Sequence, residues 1–312
     1  MTPDTPIIRP LWIDSTTIHS ALSYPEAVAA VATAVTAGMG TTPPRQTVDT
    51  TAGQLLLMPS ELGDYAGVKV VTIAPANPAR GLPRINGVYV LFDAVTLIPI
   101  AQLDAPALTA IRTAAVSALA VDRLAAPDAS RLVVFGAGPQ AHAHVAALAA
   151  IRPVRSVDVI ARTVDRAGAV ARTAANLGLA ARTPAATDVT RAIAAADLVA
   201  CCTTAREPLF DSAELPAEAT VVAVGSHEPE ARELDAALMR TSTVVVESRT
   251  SAGTAGDVVL AGEVADVVAG DLADLLAGRV RVTPGRPRVF KSVGEAWEDL
   301  AVAAAIYARV VG

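Results

Sequence analysis

The chain has 312 residues, 52% of them apolar and 3% aromatic, with a net charge of −6, a pI near 5.3 and a mean hydropathy of +0.44. That length and apolar fraction are enough for two ordinary globular domains, and the lack of a basic patch excludes nucleic acid as a partner. The apolar residues are interrupted every few positions by Asp, Arg, Thr or Pro, so no run approaches the twenty residues of a membrane span and no membrane association is expected.

The opening "MTPDTPIIRPLWIDS" lacks the basic start, apolar stretch and small-residue cleavage site of a secretory signal. A cytoplasmic location is expected. Helical spacing runs through "PEAVAAVATAVTAG", Pro25 to Gly38, and ends on glycine. From Thr47 the pattern becomes short β-branched runs bounded by Gly, Pro and Asp: "GQLLLMPS", "AGVKVVTIAP" and "GVYVLFDA". They predict an antiparallel or mixed sheet. "APALTAIRTAAVSALAVDRLAAP" then reads as one long helix that closes at Pro127.

Beyond it, apolar strands alternate with helices. Residues 131–135, 154–161, 197–203, 220–224 and 243–247 are the predicted strands, and alternation of this kind predicts a parallel sheet with helical crossovers. Cys201 and Cys202 are neighbours in one of these runs, which makes them buried strand thiols; no disulfide and no metal site is expected. The closing "VFKSVGEAWEDLAVAAAIYARVVG" reads as a single amphipathic helix. The fold class is therefore α/β, a Rossmann-type parallel-sheet domain plus a smaller α+β substrate and dimerisation domain.

The stretch "LVVFGAGPQAHAHVAAL" leads from a strand through a glycine turn into a helix. Gly136, Ala137, Gly138, Pro139, Gln140 and Ala141 fit the dinucleotide pattern, with alanine as the third small residue. Gly136 permits the turn, Gly138 lets backbone approach a pyrophosphate, and Ala141 keeps helix and strand close. The helix N-terminus then offers N–H groups and a positive dipole end to the phosphates. After the next predicted strand come Arg162, Thr163 and Arg166, where an NAD site usually places a carboxylate. Two arginines and a hydroxyl suit a 2′-phosphate, so NADP(H) is favoured and NAD(H) remains possible. Thr203 and Gly225, at the ends of later strands, are further candidates for cofactor contact.

Four ordered blocks resemble the ornithine cyclodeaminase/μ-crystallin family: "LDAPALTAIRTAAVSALA" (103–120), "FGAGPQAHAH" (135–144), "VGSHEPEARELD" (224–235) and "VFKSVGEAWEDLA" (289–301). The resemblance implies a Rossmann domain over 114–285, and a substrate and dimerisation domain from 1–113 with 286–312, assembled as a homodimer. It implies hydride exchange at the α-carbon of a small amino or imino acid, cyclic imines included. It also assigns Arg45 in "PPRQT", Lys69 in "GVKVV" and Arg112 in "AIRTA" to the substrate carboxylate and imine.

Physical chemistry supports those assignments. A carboxylate entering an apolar cleft needs a fork of donors, which arginine supplies, and Arg112 among Ala, Ile and Thr needs a partner for its charge. Strand alternation leaves the face of Lys69 open; if buried, it becomes a proton donor to an imine nitrogen. His227, in the loop after a predicted strand, is a second candidate donor or a loop histidine bonded to backbone. His142 and His144 read as packing or surface residues, and His19 as surface.

Two departures from the resembled cyclodeaminases stand out. They carry an aspartate where this chain has His227, and a glutamate where it has Leu56. Without those anions a δ-ammonium is costly to desolvate. The leading expectation is an NAD(P)H-dependent reductase of small cyclic imino acids, or the reverse amino-acid dehydrogenase. The alternatives are a cyclodeaminase-type lyase that recycles its cofactor and a non-catalytic NADPH-binding protein.

Overall fold

The computed structural model describes residues 9–312; Met1–Ile8, where the segment inspected for a secretory signal begins, lie outside the described residues. In chain order the elements are β1 (Leu11–Ile13), α1 (Ser15–Ala21), α2 (Tyr24–Thr36), β2 (Gln46–Thr50), β3 (Gly53–Leu62), β4 (Tyr65–Ile73), β5 (Ile85–Asp93), β6 (Pro99–Asp104) and α3 (Ala105–Leu124). Next come β7 (Arg131–Phe135), α4 (Pro139–Ile151), β8 (Ser156–Ile160), α5 (Val164–Asn176), β9 (Ala180–Arg182), α6 (Val189–Ala194), β10 (Leu198–Cys201), β11 (Thr220–Ala223), α7 (Ala236–Thr241) and β12 (Thr243–Val246). The last are the short helices α8 (Arg249–Ala252), α9 (Gly256–Val259) and α10 (Val264–Val267), then β13 (Val268–Asp271), α11 (Leu272–Leu276), β14 (Arg288–Lys291) and α12 (Ala296–Val311). Among the described residues no helix is long and apolar enough to cross a membrane.

The chain forms two compact units: one runs up to Arg112 and includes Glu295–Gly312, the other is Thr113–Gly294. The first holds a six-stranded sheet in the order β1-β6-β5-β4-β3-β2, antiparallel except for the parallel β1–β6 pair. Strand pairing aligns Met58, Lys69, Tyr89, Leu103 and Ile13 in one row across five strands. Every residue of that row is at most 6% exposed, because α12 packs over β3, β4 and β5 on that face. Side chains alternate along a strand, so the opposite face carries Leu57, Val68, Val70, Val88 and Val90, all only half-buried, with Trp12 56% exposed.

The second unit is an eight-stranded, wholly parallel sheet in the order β13-β12-β14-β11-β10-β7-β8-β9. Its central strands are buried along their length and read as continuous Val/Ala runs, as expected for a sheet covered on both faces. Register places Phe135, Ile160, Cys201, Ala223, Lys291 and Val246 level with one another. The loops that follow those residues therefore leave one edge of the sheet.

Three sequence expectations need correction. "VFK", read as the start of the final helix, lies in β14, inserted between β11 and β12; a four-residue run buried on both faces has no period that separates strand from helix. Residues 286–294, grouped with the substrate domain, accordingly belong to the parallel-sheet unit. Cys201 is a buried strand thiol, but Cys202 lies past the end of β10 and is only half-buried.

Candidate active site

In the first unit, Lys69 projects from the middle of β4 onto the covered face and is 3% exposed. Its Nζ lies 2.7 Å from Asp299 Oδ2 and donates to Thr109 Oγ1 at 3.3 Å. Arg112, 5% exposed on α3, donates from Nε to the other oxygen of the same aspartate, Asp299 Oδ1, at 3.0 Å, and from Nη1 to Glu298 Oε2. Asp299 and Glu298, both fully buried on the first turn of α12, thus bind both cations. Two positive and two negative side chains balance, which is how a charged cluster survives burial.

Burial pushes the Lys69 ammonium down to about 8, and the neighbouring Arg112 charge acts in the same direction; Asp299 and Glu298 oppose both. A lysine in that range exchanges its proton near neutral pH. Tyr89, beside Lys69 in the cross-strand row, has its phenol raised well above the usual value, first by burial and then by the Asp299 charge, so it stays protonated. Leu56 sits on this same face of β3, one residue pair along from Met58, half-buried and opposite Val71. Arg45 is exposed in the segment leading into β2, a strand whose five residues are all exposed.

In the second unit, the strand–turn–helix prediction is realised by β7, Gly136–Gly138 and α4, with Gly138 as N-cap and Pro139 opening the helix. Gly136 has φ +120°, and a Cβ there would stand 2.3 Å from the Cys202 carbonyl oxygen. A Cβ on Gly138, by contrast, would meet nothing within 4 Å. The backbone is exposed to open space where a phosphate would approach the N–H groups of α4, so the turn fits a dinucleotide. Arg162, Thr163 and Arg166 are all exposed past the end of β8, and Arg166 Nη2 reaches the Ala137 carbonyl at 3.4 Å. Asp158, inside β8, is held by Arg182.

Thr203 and Gly225 are locked by a residue the sequence reading passed over. Glu233, fully buried, accepts from Thr203 N at 2.8 Å, Thr203 Oγ1 at 2.7 Å and Gly225 N at 2.8 Å, tying together the loops after β10 and β11. The side chain of Thr203 is therefore committed to the protein. Beneath them, Asp257 Oδ1 accepts the N–H groups of Glu233 and Leu234. Asp257 also pairs with Lys291 Nζ at 3.0 Å, and Lys291 in turn donates to the Ser226 carbonyl at 2.6 Å. A Cβ on Gly225 would lie 1.9 Å from the Thr203 carbonyl oxygen. His227 emerges exposed from this braced loop, where Glu228 forms an ion pair with Arg206 at 2.6 Å. His142 contacts Thr173 Oγ1, and His144 is fully buried between Gln140 O and Ser117 Oγ; burial lowers it to about 4.

Lys69 and Arg112 are thus brought together, and the glycine turn, Arg162, Thr203 and Gly225 share one sheet edge. Glu298, Asp299, Glu233, Asp257 and Lys291 were missed. The available signal was a charge inside an apolar run, "AWEDLA" and "VFKS", which marks a residue that must have a buried partner.

Comparison with known proteins supplies the last observation. The model of the ornithine cyclodeaminase/mu-crystallin family matches residues 15–312. The chain is 37% identical over 300 residues, 92% of each sequence, to a Delta(1)-pyrroline-2-carboxylate/Delta(1)-piperideine-2-carboxylate reductase of Azospirillum brasilense. Its fold is similar to that of Thermococcus litoralis Delta(1)-pyrroline-2-carboxylate reductase in complex with NADH and L-proline, with TM-score 0.90, 28% identity, and coverage of 96% and 97% of the two chains. It is similar also to an archaeal alanine dehydrogenase dimer with bound NAD, with TM-score 0.89, 26% identity, and coverage of 97% and 96%.

Proposed function

The chain belongs to the ornithine cyclodeaminase/mu-crystallin family, and from that premise we propose that it is an NAD(P)H-dependent reductase of small cyclic imino acids, able to run in reverse as an amino-acid dehydrogenase. The observation that carries this reading is Lys69, a buried cation able to exchange a proton near neutral pH, placed beside Arg112. The relatedness to pyrroline- and piperideine-2-carboxylate reductases supports the same substrate class. Arg112, with Lys69 and Arg45, binds the α-carboxylate through charge-assisted bonds. Lys69 delivers the proton that the imine nitrogen takes as its carbon is reduced, with His227 the alternative donor. The nicotinamide, when bound, supplies the hydride.

Leu56 presents an aliphatic side chain where a δ-ammonium would require an anion, which favours a cyclic imine over ornithine. At the cofactor end, Gly136, Ala137, Gly138, Pro139 and Gln140 hold the pyrophosphate at the start of α4. Arg162, Thr163 and Arg166 favour NADPH, since they offer two guanidinium groups and a hydroxyl to a 2′-phosphate. Thr203 and Gly225 shape the adjoining loops through backbone.

The protein acts as a homodimer in this reading, with the half-buried apolar face of the six-stranded sheet as the interface and Trp12 at its edge. A cytoplasmic location suits two adjacent cysteines that are both free.

The test is spectrophotometric. Purified protein with NADPH should lose absorbance at 340 nm on addition of Δ1-pyrroline-2-carboxylate or Δ1-piperideine-2-carboxylate, and should release no ammonia from ornithine. Absence of NADPH oxidation with both imines would reject the reductase. A single species of dimer mass in light scattering, converted to monomer by Val70→Asp, checks the assembly.

A further inference from the structure

Lysine is nearly excluded from this chain. Of its 25 basic residues 23 are arginine, and the two lysines, Lys69 and Lys291, are both buried, each against an aspartate. Arginine does not give up its proton in a protein, whereas lysine can. Among the lysine and arginine side chains, a cation that can be deprotonated therefore occurs only in these two interior positions, and the partner of Lys69 takes on more than a structural interest.

That partner, Asp299, touches both cations of the substrate half-site: Oδ2 is 2.7 Å from Lys69 Nζ and Oδ1 is 3.0 Å from Arg112 Nε. Glu298, its neighbour in sequence, holds a second edge of the guanidinium. The groups facing Lys69 are Arg112 and Thr109 from α3, Asp299 and Glu298 from α12, and Tyr89 from β5. Asp299 and Thr109 engage two of the three donors of the ammonium, which leaves one N–H for a substrate atom. Arg112 by its charge, and burial itself, work to strip the proton from Lys69; Asp299 is first among the groups that retain it.

We propose that Asp299 is the positioning residue of the substrate half-site, the one carboxylate that aims Lys69 and Arg112 at a common α-carboxylate and keeps the lysine charged until its proton passes to the imine nitrogen. The proposal rests on the reductase reading. In the step it serves, the imine carbon would take hydride from a reduced nicotinamide, when bound, and the C=N π pair would move to nitrogen. The nitrogen takes a proton from Lys69 Nζ, which is left neutral and regains a proton from solvent. Asp299 does not touch the reacting atoms.

The two-lysine composition makes the test direct. Protein labelled with 13C at lysine Cε gives two resonances, with Lys69 assigned by its loss in Lys69→Met. In the wild type the Lys69 signal should titrate near pH 8; in Asp299→Asn its midpoint should fall by one pH unit or more. The alkaline limb of kcat/KM for Δ1-pyrroline-2-carboxylate should move with it, while NADPH affinity stays within twofold as a check on folding. A Lys69 midpoint unchanged in Asp299→Asn, or a loss of activity equal at every pH, would overturn the proposal. Should Asp299→Asn fail to bind NADPH, Asp299→Glu decides: the titration midpoint should be retained and kcat should drop tenfold or more because the aim is altered, and full kcat would refute the positioning role. Wild-type turnover alone decides the reductase reading, whereas the titration needs no turnover.

Discussion

The ammonium of Lys69 and the carboxylate of Asp299 meet at 2.7 Å, brought together from strand β4 and the first turn of the C-terminal helix α12. With its folded value near 8 against 10.5 unfolded, Lys69 is protonated below about pH 8 and neutral above it. Imine reduction, which consumes its proton, should fall as pH rises through about 8; oxidation of the cyclic amino acid, which needs the free amine, should rise through the same range. Stability rises with pH over an adjoining window: between about 8 and 10.5 the unfolded chain binds more protons, so the fold gains as pH increases there. Rate profiles in both directions between pH 6.5 and 10 check this, and profiles without opposite slopes would count against Lys69 as donor.

Removing Arg112 leaves Asp299 and Glu298, both fully buried, with less positive charge beside them. Breaking a buried pair from one side costs about 3–5 kcal/mol, so Arg112→Met should show a lowered denaturation midpoint as well as lost turnover. Urea unfolding measures it. A variant as stable as the wild type would mean that the cluster relaxes into water.

Arg162 and Arg166 are exposed and stand past the end of β8. The double variant Arg162→Ala/Arg166→Ala should weaken NADPH by roughly 10- to 100-fold, the loss of charge-assisted bonds to a 2′-phosphate, and change NADH binding by less than about threefold. Fluorescence titration with the two cofactors separates these outcomes. Equal loss for both would place the arginines at the pyrophosphate or at the fold.

His144 is neutral in the folded protein because burial lowers it to about 4 from 6.5, and Ser117 and Gln140 enclose its ring. A histidine buried neutral is protonated first in the unfolded chain, so stability is lost as pH falls from about 6.5 through 4, by at most roughly 3 kcal/mol. His144→Gln should flatten that acid limb. Unfolding free energies at pH 7 and pH 5 for both proteins provide the comparison.

Much of the fold can be read from the chain because it rests on local pattern. Alternating strands and helices specify a parallel sheet, and "FGAGPQA" specifies a turn that only glycine at 136 can make against the Cys202 carbonyl. Arg112 in an apolar helix announces that it has a partner. The identity of that partner is not local. Asp299 and Glu298 lie 187 and 186 residues further along the chain, and only the packing of α12 brings them to α3 and β4. The face of Lys69 was undecided because β4 has apolar residues on both sides; α12 decides it by covering one of them. β14 was hidden for a related reason, since a strand buried on both faces has no alternation to show. Local pattern carries the strands, the helices and the glycine turn after β7; which charges share a cluster is settled only by tertiary packing, because burial forces each charge to find an opposite one wherever the chain can deliver it.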